Sequence, residues 1–190
     1  MELYNFILTL SGVRMDTEGL ADSLYSHGCD DALICYYGNS VSVEFDREAE
    51  SLDQAIRSAI DNIETSGTGA IVESVDSALV GLSDIAHRSG LTRQAITLLK
   101  DGLRGKEDFP CPVQRIRAQS PLWDWSAVAR WLNESGRPGI KDAHVREELV
   151  RNAHTLNKWN LALRMRSSGY IQEVESIAHS LMAQGRHAVA

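Results

Sequence analysis

Residues 82–100 read LSDIAHRSGLTRQAITLLK, two short amphipathic segments hinged at Ser89-Gly90. Two helices that cross steeply through a tight turn need a small residue at the crossing, and the turn needs a residue that tolerates a left-handed backbone. Ala86 and Gly90 stand at those places. Ile96 and Leu99, three apart, give the second segment an apolar stripe, with Ile85 and Leu91 as its partners. Thr92 lies where an N-cap oxygen is wanted, and Ser83 is expected to cap the first helix in the same way. The pattern suits either an αα-corner or a pair whose second helix reads DNA.

Four residues favour the second reading. Thr92, Arg93, Gln94 and Thr97 fall off the apolar stripe near the start of the second helix, the end that approaches base edges in a docked duplex. Arginine can bond guanine through O6 and N7, glutamine can bond adenine through N6 and N7, and a threonine methyl can meet a thymine methyl. The next stretch, LRGKEDFPCPVQRIRAQSPLW (103–123), carries Arg104, Lys106, Arg115 and Arg117 among Pro110, Pro112 and Pro121. A short basic hairpin after such a helix is expected to act as a wing whose cations reach backbone phosphates. DWSAVARWLNESG (124–136) then has helical spacing, with Val128, Trp131 and Leu132 on one face, and GRPG (136–139) is a linker signal.

The runs SDIAHRSGLTRQAI, DFPCPV and SPLWDWSAVARWL together resemble the winged helix-turn-helix units of the MerR and excisionase-like group of bacterial and phage DNA-binding proteins. The resemblance covers about residues 83–135. It implies base readout by Arg93, Gln94 and Thr97 and phosphate contacts by Arg104, Arg115 and Arg117. Two features depart from that group. Leu98 is apolar on the outer side of the second helix and is expected to pack against the wing or the closing helix, and the acidic N-terminal region has no counterpart in minimal members.

That N-terminal region alternates strand and helix signals. Leu3–Leu10 is apolar and β-prone, Asp16–His27 has helical spacing, and Asp31–Tyr37 is a second apolar run. Gly38-Asn39-Ser40 turns the chain into VSVEF, Ser51–Glu64 carries a helical stripe from Leu52 to Ile63, and AIVESV follows SGTG. The order β-α-β-β-α-β resembles a ferredoxin-like sandwich, which hosts many functions and identifies none. Beyond the linker, Asp142–Ser167 reads as a long helix and Tyr170–Met182 as another, with Gly169 between them.

Charge divides the 190 residues unevenly. The net charge of −7 comprises −12 over residues 1–79 (3 Lys or Arg against 15 Asp or Glu), +3 over 80–137 and +2 over 138–190. An acidic domain at −12 repels phosphate, so Tyr36-Tyr37 are not expected to stack on RNA. Cys29, Cys35 and Cys111 form no CxxC pair, and the six histidines lack ligand spacing, so reduced thiols, no metal and no cofactor are expected. The carboxylates Glu44, Asp46, Glu48 and Glu50 read as a solvated strand edge, and Trp123, Trp125 and Trp131 as core. No catalytic constellation, secretory signal or apolar membrane span is recognisable, which predicts a cytoplasmic protein that is not an enzyme.

These readings predict an α+β chain in three parts. They are an acidic ferredoxin-like domain (1–78) for sensing, partner binding or dimerisation, a winged helix-turn-helix domain (79–137), and a C-terminal helical segment (138–190) that completes the core and the oligomer. The expected function is sequence-specific binding of double-stranded DNA by a homodimeric bacterial or phage transcriptional regulator. A protein or small-molecule partner is expected at the N-terminal domain. The rival is an antitoxin-like or inhibitor protein whose acidic domain captures a protein partner.

Overall fold

Alternation of apolar and polar residues builds a sheet in the first third of the chain. The computed structural model describes residues 1–104, 108–135 and 142–187, and GRPG at 136–139 lies outside them. It is a mixed α+β chain with a four-stranded antiparallel sheet and, among the described residues, seven helices. It divides into two compact units. One comprises residues 3–48, 55–75 and 159–190, and the other residues 1–2, 49–54 and 76–158.

The sheet unit contains β1 (Glu2–Ser11), α1 (Leu20–Ser26), β2 (Ala32–Tyr37), β3 (Ser40–Ala49), α2 (Leu52–Glu64, from residue 55) and β4 (Ile71–Val75), with strand order β2-β3-β1-β4. Phe6, Leu8 and Leu10 of β1 alternate inward, as do Val41, Val43 and Phe45 of β3, and the Phe6 and Phe45 rings stack at 5.4 Å. Full burial of each such side chain contributes about 1.5–3 kcal/mol. Helix α1 starts later than Asp16, because residues 15–16 and 18–19 are turn and Gly19 takes φ 67° just before Leu20. Gly12, at φ 77°, is needed for close approach: a Cβ there would lie 2.1 Å from the Gly69 carbonyl oxygen.

Strand β3 runs further than VSVEF and carries an unexpected residue inward. Arg47 continues the buried register of Val41, Val43 and Phe45 and is only 7% exposed. Burying a guanidinium requires partners for all its nitrogens. Nε and Nη2 bond the two Asp31 carboxylate oxygens at 2.7 and 2.8 Å, Nη1 bonds Ser58 and Asn62, and Nη2 also reaches the Gly28 carbonyl at 2.6 Å. Its cationic carbon lies 4.6 Å from the Phe45 ring centroid. Glu44 is half-buried on the opposite register, while Asp46 and Glu48 are exposed, as a solvated strand face requires.

The two edges of the sheet differ. Edge strand β4 is bonded by side chains from α2 and from the C-terminal part of α6 (Ala143–Ser168), whose residues from 159 belong to this unit. Asn160 takes both Val75 N–H and Val75 O, Glu64 accepts from Val72 N–H, and Arg166 donates to Val72 O and to Glu64. Hydroxyls of Ser11 and Ser167 donate to Glu73 and hold its carboxyl below the usual carboxylate range. The other edge, β2, has β3 on one side and, among the described residues, no strand on the other. A last helix, α7 (Ile171–His187), follows Gly169 at φ 71°.

Residues 138–190 do not stand as one unit: α6 contributes residues up to Lys158 to the second unit and the remainder to the sheet unit. The reason lies in its side chains. Ala153 is buried in the second unit's core with Leu149 and Val150 beside it, whereas Asn160 and Arg166 bond β4.

Candidate nucleic-acid interface

The second unit is built around the opening stretch. A two-residue strand, β5 (Leu79–Val80), leads into α3 (Leu82–Ser89) and α4 (Arg93–Lys100), and β6 (Trp123–Asp124) pairs with β5 before α5 (Trp125–Glu134). Ile85, Ala86, Ile96 and Leu99 are buried together with Val80, Trp123, Trp125 and Val128, and Leu91 packs against them. Gly90 ends α3 at φ 67°, and the Leu91 N–H reaches back to the Ala86 carbonyl at 3.1 Å. The cap of α3 is not Ser83. Helix α3 begins two residues earlier than that cap requires, with Gly81 at the N-cap and its N–H donating to the Asp84 carboxylate at 2.9 Å.

Thr92 does cap α4: its Oγ1 accepts from Ala95 N–H at 3.1 Å. That commits a lone pair of its oxygen and leaves its methyl and its hydroxyl proton for an outside contact. Thr97 is half-buried and its hydroxyl donates to the Arg93 carbonyl at 3.0 Å. Arg93 and Gln94 are exposed in the first turn of α4. The first turn of a helix leaves backbone N–H groups without intrahelical partners and carries partial positive charge, so both side chains stand where an anionic or acceptor-rich surface is favoured. Leu98 is half-buried, and its carbonyl accepts from Arg104 N–H at 3.1 Å.

The proline-rich segment is pinned to the core. Phe109 meets the Trp123 and Trp131 rings edge-on at 6.4 and 5.0 Å, Trp123 Nε1–H donates to the Pro110 carbonyl, and Trp131 Nε1–H donates to Asp108. Trp123 and Trp125 are buried and Trp131 half-buried, so these rings form core. From this anchor residues 113–122 fold back on themselves. Val113 and Gln114 N–H both donate to Leu122 O, and Leu122 N–H returns to Gln114 O. Arg115, at φ 53°, and Arg117 lie in the exposed loop so formed, and Arg104 is exposed after α4. Lys106 falls outside the described residues.

Among the described residues, Arg93, Arg104, Arg115 and Arg117 enter no salt bridge. Arg88 differs, lying 5.4 Å over the Trp125 ring and donating to the Ser77 carbonyl. Two exposed apolar residues of the 113–122 loop, Val113 and Ile116, were not singled out from sequence. Their only signal is their place between proline and arginine residues. No helix is long and apolar enough to cross a membrane among the described residues. No family model, curated protein or solved structure matches this chain.

Proposed function

We propose that the protein binds double-stranded DNA sequence-specifically as a bacterial or phage transcriptional regulator. In this reading the second unit is a winged helix-turn-helix of MerR or excisionase-like type, with α4 as the recognition helix and residues 113–122 as the wing. The sheet unit is then a ferredoxin-like sandwich, a reading supported by its element order and its strand order β2-β3-β1-β4. The observation that carries the proposal is the first turn of α4. Arg93 and Gln94 are exposed there while Ile96 and Leu99 are buried, so the helix is held by one face and offers the other.

Arg93 and Gln94 carry the base readout, the Thr92 and Thr97 methyls add apolar contacts to thymine, and Arg104, Lys106, Arg115 and Arg117 contact phosphates. The test is selection of genomic fragments by the full chain, followed by sequencing and titration of the recovered site against scrambled duplex. One enriched motif, bound about 1,000-fold or more above scrambled DNA, is expected. Equal affinity for every duplex, or none, sinks the proposal and leaves α3 and α4 as a structural corner.

A further inference from the structure

We infer that the free edge of β2 is a docking strand for a second copy of this chain, which joins the two sheets antiparallel across a twofold axis at Ile34. The inference stands independently of the DNA-binding reading.

It rests first on the backbone. Asp46 N–H donates to Asp31 O in the β2–β3 register, which pairs Ala32 with Phe45 and Ile34 with Val43. Bonded and non-bonded pairs alternate in an antiparallel ladder, so residues 31, 33, 35 and 37 turn their polar groups toward β3. Ala32, Ile34 and Tyr36 therefore turn theirs outward, with no strand to receive them. Edge strands are ordinarily blunted by charge, proline or a bulge. Strand β2, ALICYY, has no charge and no proline, and its register to β3 is unbroken. The opposite edge, β4, is capped by Asn160, Glu64 and Arg166.

Charge and shape select a second copy as the occupant. With Ile34 on the axis, Ala32 of one copy faces Tyr36 of the other, and the three outward residues of each strand bond those of its mate. Asp30, exposed, and Asp31, paired with Arg47, flank β2 at its start. In this register the exposed Asp30 lies beyond Tyr37 of the other copy, so the two Asp30 carboxylates stand more than roughly 20 Å apart along the strands. That is more than about twice the screening length at physiological salt. Sliding either strand toward its start would draw these aspartates together.

Side chains at 32, 34 and 36 share the face of buried Phe45, Val43 and Val41. Between β2 and α1 on this face lies a cavity of about 350 Å³ lined by Ala21, Leu24, Tyr25, Ala32, Ile34 and Tyr36 among others. The 46% exposed Tyr36 of the second copy would cover the small Ala32 and enter that cavity.

Sedimentation velocity of the full chain across micromolar concentrations, with amide exchange on the same samples, tests the inference. A dimer is expected in which the Ala32, Ile34 and Tyr36 amides exchange at least about tenfold more slowly than at dilutions where monomer prevails. Ile34→Pro removes an outward N–H that the β2–β3 ladder does not use, and Tyr36→Glu puts a charge where the ring would be buried against Ala32 of the other copy. Each should weaken dimerisation at least about tenfold while circular dichroism stays native. If Ile34→Pro does not fold, Tyr36→Glu and the wild-type exchange data decide. A monomer at every concentration overturns the inference, as does a dimer whose three amides stay unprotected or that Tyr36→Glu leaves intact. Protection that arises only with a different protein overturns it as well.

Discussion

Two sets of arginines, one in each unit, are used in opposite ways. In the sheet unit Arg47 places every guanidinium nitrogen on a partner, and Arg166 bonds Glu64 and the Val72 carbonyl. In the second unit Arg93, Arg104, Arg115 and Arg117 are exposed and enter no salt bridge among the described residues. The first set offsets the burial of charge and backbone within an acidic domain, where partners are plentiful. The second set leaves its donors exposed. Net charge alone, at −7, obscures this division.

Removing the buried cation should have the largest effect. Arg47→Ala leaves Asp31 without its ion pair and strips Ser58, Asn62 and the Gly28 carbonyl of their donor, so a loss of about 2–4 kcal/mol of stability is expected in urea unfolding. A loss below about 0.5 kcal/mol would break the comparison from the structural side. Next comes Arg93→Ala, expected to cost about 1–3 kcal/mol on the selected site and little on scrambled duplex, with thermal stability unchanged.

Arg117→Ala sharpens the distinction within the second unit. It should weaken both duplexes alike and lower the slope of log affinity against log salt by about one, read from titrations at several salt concentrations. If Arg93→Ala and Arg117→Ala behave identically, the assignment of readout to α4 and positioning to the loop is wrong. The smallest effect belongs to Arg166→Ala. Its side chain is 41% exposed, so screening limits the Glu64 pair, and a loss of about 0.5–1 kcal/mol in thermal unfolding with DNA affinity unaltered is expected.

Much of the local structure was legible from residue order. The helical stripes of α2 and α5, the Thr92 cap and the turn at Gly90 follow from spacing and backbone preference, and so does the candidate set on α4. Other features were hidden. Ser83 looked like a cap because its residue type fits, yet the helix starts at Leu82, where Asp84 can reach back to Gly81. Arg47 was not singled out from sequence. Its inward register signals nothing until Asp31, Ser58 and Asn62, distant in sequence, converge on it.

What sequence by itself determined is local: which segments are amphipathic, where glycine permits a left-handed turn, which third of the chain is acidic, and which cations follow α4. These depend on covalent neighbours and on periods of two or 3.6 residues, both present in linear order. Only the tertiary structure decided that one half of α6 joins each unit, that β4 is sealed by Asn160 and Arg166, and that β2 is left open. Those outcomes depend on hydrogen bonds between residues some 85 to 94 positions apart, whose partners chain closure selects and no local pattern announces.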